Sequence, residues 1–106
     1  MVTQSAAIEI AQQYLSAVRA LGVPVQKAYL FGSFAQDRQH EWSDIDLALI
    51  AEGFTGSVVV DKKPFRKLHL QPHFMAVEAH TFPTSLLESG HHPFLEEIKR
   101  TGIEIN

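Results

Sequence analysis

At 106 residues, with 45% hydrophobic and 20% charged residues, the chain has the length of one compact unit, residues 1–106, and the composition of an ordinary soluble globular domain. A net charge of -3 argues against sequence-independent nucleic-acid binding, which neutralises many phosphates at once. The lack of cysteine excludes disulfides and thiolate metal sites, and with no run of about 18 apolar residues and no basic-then-apolar leader the expected location is cytoplasmic, with no membrane role.

In residues 5–21, Ile8, Ala11, Leu15, Val18 and Leu21 recur at three- and four-residue steps and Gly22 with Pro24 provides a stop. This predicts an amphipathic helix whose apolar stripe packs on a sheet. Residues 25–31 and 44–50 read as strands joined by a polar turn, and residues 52–57 as a glycine-containing loop. The next segment, 57–70, is ambiguous. Val58, Val59 and Val60 favour a strand, whereas Phe65 and Leu68 with flanking charges suit a helix opened by Pro64; the helix over 64–70 is preferred. Pro72 closes that segment and residues 74–80 read as a third strand. Pro83 starts a short helix through Leu86 and Leu87 to Gly90, and Pro93 starts another through Phe94, Leu95 and Ile98 to Gly102. In the second of these, Glu96 and Glu97 precede Lys99 and Arg100, the order that complements the helix dipole. Ile103 and Ile105 pack a tail against the body. The fold class is α/β (α+β), a small mixed sheet with helices packed on it.

Residues 29–50 carry the chemistry. An apolar run, Tyr29, Leu30 and Phe31, stops at Gly32-Ser33; after ten residues a second opens with Asp44-Ile45-Asp46 and continues through Ile50. On a strand, alternate side chains share a face, so Asp44 and Asp46 project together while Ile45 and Leu47 turn to the core. Two carboxylates about 6–7 Å apart on one face repel unless water or a cation lies between, and hard oxygen ligands suit magnesium. Gly32 lets the backbone turn and a ligand approach without a Cβ, and a short helix opening at Ser33 would offer free amides to an anion. A triphosphate docked there would be bridged by magnesium to Asp44 and Asp46, the arrangement for in-line displacement at phosphorus. Taken singly, each residue has an ordinary structural use: Asp44 as a cap after Ser43, Asp46 as a solvent-facing strand position, Gly32-Ser33 as a turn. Their conjunction carries the functional reading.

Gly32-Ser33, ten residues, then Asp44-Ile45-Asp46 resembles the signature of the polymerase-beta-type nucleotidyltransferases, and residues 25–105 are similar to their minimal branch. The resemblance implies a polymerase-beta-like core and transfer of a nucleoside monophosphate, AMP from ATP or its equivalent from another triphosphate, to a hydroxyl, with two magnesium ions. It implies nucleotide binding by Gly32 and Ser33, catalytic and metal-ligating roles for Asp44 and Asp46, and a third carboxylate on the following strand. Glu78 is the choice for that place, since between Val77 and Ala79 an unpaired charge is costly unless it coordinates something or reaches the surface; the family more often has aspartate there. Asp61 is the alternative. Proteins of this kind are frequently the antitoxin of a toxin–antitoxin pair, whose helical HEPN-type toxin receives AMP on a tyrosine. The resemblance therefore implies a small helical protein partner and a homo- or hetero-oligomer. A chain this short lacks room for the base- and acceptor-binding domains of polymerases, so the acceptor is expected on another macromolecule.

One departure opens a second reading. Where the family often has an arginine and a glycine after the glycine-serine, this chain has Gln36 and Asp37, and Arg38 would point in a different direction. A degraded site would leave a binding module that neutralises a partner by occlusion. The basic group Lys62, Lys63, Arg66, Lys67 and His69 reads as a solvated face, with triphosphate, RNA or an acidic partner as its functional alternatives. Pro72 keeps His69 and His73 from sharing a helix face, and His91 and His92 diverge. His80, two residues after Glu78 on the same strand face, is the histidine to watch as a supporting or surface residue.

Overall fold

The computed structural model describes residues 2–106. Helix α1 (Gln4–Ala20) opens at Thr3, whose side chain accepts a hydrogen bond from the Ala6 amide at 3.1 Å. Its buried residues are Ala7, Ala11, Tyr14, Leu15 and Val18. Leu21, expected on the apolar stripe, lies past the helix end and is exposed, and Tyr14 enters the core instead.

Among the described residues there are four strands, β1 (Val25–Phe31), β2 (Ile45–Ala51), β3 (Val77–Pro83) and β4 (Ile103–Ile105), in the order β3-β2-β1-β4. β2 runs antiparallel to β1 and parallel to β3, so the sheet is mixed as expected. The tail read from Ile103 and Ile105 is strand β4 itself, paired antiparallel to β1 through Leu30↔Ile103 and Ala28↔Ile105. β2 is buried along its whole length except at Asp46, the pattern of a central strand covered on both faces.

The crossover from β2 to β3 differs from the sequence expectation. Val58–Asp61 forms one short helix, α2, and residues Arg66–Leu70 and Pro72–Phe74 form successive 3-10 turns in place of an α-helix over 64–70. Packing decides this: Phe65, Leu68 and Phe74 all reach the cluster around Tyr14, with edge-to-face contacts of 6.3 Å to Phe65 and 5.3 Å to Phe74. Spacings of three and six suit the three-residue turn better than a 3.6-residue one. β3 starts three residues later than expected because these turns consume Phe74.

Strand alternation then sorts the side chains onto two faces. Ile45, Leu47, Leu49, Val77 and Ala79 face α1 and the crossover. Ala48, Ile50, Tyr29 and Phe82 face the helices α3 (Thr84–Ser89) and α4 (Pro93–Thr101), where Leu95 and Ile98 cover them. α4 opens as expected at Pro93, with His92 Nδ1 accepting from the Leu95 amide at 3.2 Å. The second face continues past α4 to Asp46, Glu78 and His80. Phe31, stacked edge-to-face on Phe94 at 5.7 Å, marks the boundary between its apolar and polar halves. No helix among the described residues is long and apolar enough to cross a membrane.

Candidate active site

Gly32 follows the last residue of β1 at φ +75°, and a Cβ built on it would lie 2.4 Å from Asp46 Oδ2. The two halves of the sequence motif therefore meet: the glycine is required both for its left-handed backbone and for the space the Asp46 carboxylate occupies. Gly32→Ala is expected to cost about 1–2 kcal/mol in backbone strain alone and to push that carboxylate aside. A displacement on this scale should lower the nucleotidyl transfer that the resemblance implies by roughly a hundredfold. Urea denaturation and a transfer assay would check the two effects separately.

Asp46 pairs with Glu78 across the parallel register and His80 sits one row further along β3, beside Ala48. One donor atom from each of Asp46, Glu78 and His80 lies within 4.8 Å of the other two. His80 Nε2 is 3.5 Å from Asp46 Oδ1 and 3.7 Å from Glu78 Oε1, and Asp46 is 25% exposed where Glu78 is 54% exposed. These separations exceed the usual hydrogen-bond range of about 2.7–3.2 Å, and Nε2 is a buried atom with no hydrogen-bond partner. The Phe31 ring meets the imidazole edge-to-face at 5.0 Å. Two carboxylates and an unpaired imidazole nitrogen form a donor set suited to a dication.

Asp44 precedes β2, is exposed and stands outside this cluster. Asp61, the alternative third carboxylate, is accounted for structurally. Its side chain is buried and accepts from the Thr55 amide (2.8 Å), Thr55 Oγ1 (3.0 Å), the Gly56 amide (3.0 Å) and Thr81 Oγ1 (2.8 Å). Burial pushes its carboxyl up, but these hydrogen bonds outweigh burial and hold it below the ordinary carboxylate value. It closes the loop before α2 onto β3, and has no free acceptor for a metal.

After Gly32 the chain forms turns, and the short helix that could have opened at Ser33 is not there. Residues 32–37 are a run of turns, held by Gln36 N–H to Gly32 O (3.3 Å), Asp37 N–H to Phe34 O (3.3 Å) and Arg38 N–H to Ser33 O (2.8 Å). These bonds leave the amides of Ser33, Phe34 and Ala35 out, so the turn keeps anion donors without a helix. Gln4 Nε2 fastens it to α1 by donating to Phe34 O (2.9 Å) and Ala35 O (3.3 Å), a contact that nothing in the sequence pattern announces. Asp37 stands at φ +55°, the left-handed conformation a glycine would adopt most readily. The replacement of glycine there thus preserves the turn, since aspartate tolerates that region. Gln36 and Arg38 are both exposed.

The remaining titratable residues have local uses. His69 Nε2 lies 3.3 Å from the Tyr14 hydroxyl, and burial, with Lys62 nearby, lowers its pKa. His73 stacks on Phe74 at 4.0 Å. Lys63, Arg66 and Lys67 are exposed, as a solvated face requires. Two concavities, of about 300 and 330 Å³, lie at the other end of the sheet, around Gly53 with Pro83 or Pro24, and contain none of Gly32, Asp46 or Glu78. The converging donor atoms of Asp46, Glu78 and His80 lie instead at the opposite end of the sheet, on its open face.

A four-stranded mixed sheet with helices on both sides is consistent with the polymerase-beta-like nucleotidyltransferase fold. The chain belongs to that family: the description "Polymerase beta, Nucleotidyltransferase" matches residues 12–106. Among solved structures, a candidate nucleotidyltransferase from Sulfolobus solfataricus superposes with a TM-score of 0.64 at 18% identity, covering 95% of this chain and 80% of that one. A toxin–antitoxin with AMP-PNP superposes with a TM-score of 0.59 at 23% identity, covering 88% of this chain and 70% of that one. At these identities the likeness is one of fold. No curated protein matches the chain.

Proposed function

We propose that this chain is a nucleotidyltransferase that moves a nucleoside monophosphate, AMP from ATP, onto a hydroxyl of a partner protein, a tyrosine of a helical HEPN-type toxin, and so acts as its antitoxin. The observation that carries the reading is the contact between Gly32 and Asp46, which joins a phosphate-type turn to a metal-type carboxylate. Asp46 and Glu78 would hold a dication, with Asp44 reaching a second from the start of β2. When bound, such ions neutralise triphosphate charge and favour the ionised form of the attacking hydroxyl. The turn amides of Ser33 to Ala35 bind the phosphates, and Gln4 and Asp37 fix the turn that presents them. In the reaction the acceptor hydroxyl gives its proton to solvent, its oxygen bonds to the α-phosphorus, the bond from that phosphorus to its β-bridging oxygen breaks, and pyrophosphate leaves.

A protein acceptor is supported at the rim of the site. Ile45 N–H donates to Ala76 O at 2.8 Å, so the loops before β2 and β3 run side by side, and they expose Trp42 and Met75 at the carboxylate end. Exposed large apolar side chains of this kind anchor protein contacts.

The test is magnesium-dependent transfer of label from α-labelled ATP to the partner, comparing wild type with the Asp44→Ala/Asp46→Ala double variant. Label on the partner, lost in the double variant, is the expected result. The exposed Gln36, where the family often has an arginine, favours the occlusion reading. A folded wild type that transfers from none of the four nucleotides yet still silences its partner would establish that reading instead.

A further inference from the structure

We propose that His80 is itself a metal ligand, and that Asp46, Glu78 and His80 form a mixed oxygen and nitrogen site that holds a first-row transition dication more tightly than magnesium. This inference rests on the reading above that Asp46 and Glu78 bind metal, and adds the identity of the third donor and of the ion.

The backbone explains how the imidazole gets there. In the parallel register His80 lies opposite Ala48, one row beyond the Asp46 and Glu78 pair. Ala48 is fully buried and offers no side chain beyond Cβ, so the imidazole has room to lean across β2 towards Asp46. Nε2 accordingly comes as close to Asp46 Oδ1 (3.5 Å) as to Glu78 Oε1 on its own strand (3.7 Å). The Phe31 ring at 5.0 Å fixes the imidazole plane from the β1 side, and Phe31 in turn packs on Phe94.

A surface histidine attracted by two carboxylates would normally hydrogen-bond one of them. His80 Nε2 does not: the atom is buried and lies within ion-pair distance of both carboxylates without a hydrogen bond to either. Donor atoms sharing one ion at bond lengths of about 2.0–2.2 Å stand about 3.0–3.6 Å apart, so the two His80 separations already suit a shared cation, while the two carboxylates, within 4.8 Å of each other, would be drawn together by it. Gly32 contributes as well, because without a Cβ it leaves room for Asp46 Oδ2 beside the backbone. One imidazole nitrogen with two carboxylates suits manganese, iron, cobalt or zinc, whereas magnesium prefers oxygen donors and retains its waters.

Manganese(II) is the probe, titrated into the full chain and followed by electron paramagnetic resonance with pulsed detection of nitrogen couplings. The expected spectrum shows an imidazole nitrogen coupling to the bound ion. His80→Gln should remove the coupling and weaken manganese binding by roughly tenfold or more, while magnesium, measured by competition, changes by less than about threefold. Manganese that binds, and is lost in Asp46→Asn, yet shows no nitrogen coupling would overturn the role of His80 and leave the metal-dependent reading intact. A coupling that persists in His80→Gln would place the ion on another histidine and also defeat the proposal. If neither ion binds in any way that depends on Asp46, the underlying reading fails with it.

Discussion

Asp46→Asn is expected to lower nucleotidyl transfer by about a thousandfold, equivalent to about 4 kcal/mol on the barrier, while leaving the fold in place. Asp46 is the position where the three parts of the site converge: its carboxylate faces the Gly32 backbone on one side and Glu78 and His80 on the other. Asparagine keeps the shape but removes the charge and offers a donor where a cation should sit. Stability should move by less than about 0.5 kcal/mol, because the side chain is partly exposed and hydrogen-bonds no protein group, and because the weakened attraction to His80 is offset by relief of repulsion with Glu78. Initial rates with labelled ATP, together with urea denaturation of both proteins, would separate the two effects. A variant that keeps a tenth of wild-type activity would show that the reacting phosphate is held elsewhere.

Asp61→Ala reverses the pattern, with a large effect on stability and a small direct one on chemistry. It removes the acceptor of two backbone amides and two threonine hydroxyls and leaves Thr81 Oγ1 buried without a partner. Unsatisfied buried donors cost about 1–3 kcal/mol each, partly recovered here by water reaching Thr55 and Gly56, so a loss of about 3 kcal/mol is expected. The same carboxylate gives a pH signature. Because its folded-state pKa lies below the unfolded value near about 3.9, its contribution is complete above that pH and is lost as pH falls through the folded value. Wild type should therefore lose stability below about pH 4 more steeply than Asp61→Ala, in denaturant titrations run from pH 6 to pH 2.5. Parallel curves would show that Asp61 is not held as an anion.

How much of this was legible beforehand depends on the range over which each feature is decided. Local periodicity located α1, β1 and α4 to within a residue or so, because alternation, caps and prolines act within a few positions of the backbone they shape. The Gly32-Ser33 and Asp44-Asp46 spacing pointed to the family for the same reason, as each half is a short local pattern. One local pattern was ambiguous and one misled. Val58, Val59 and Val60 form a helical turn rather than a strand, since Asp61 behind them is drawn into the core by Thr55 and Thr81. The region 64–70 became 3-10 turns because three aromatic and aliphatic side chains had to reach Tyr14, a partner on α1.

Neighbouring residues were enough to specify α1, the first two strands, the last two helices, the glycine turn and the pair of aspartates. Tertiary structure alone decided which carboxylates meet. Whether Glu78 or Asp61 comes near Asp46 depends on the parallel register of β2 with β3 and on which face of the sheet each side chain takes. That register is set by burial of Ile45, Leu47, Val77 and Ala79 against α1, far from the site in sequence. The same register brought His80 to the carboxylates, because its neighbour across the strand is an alanine.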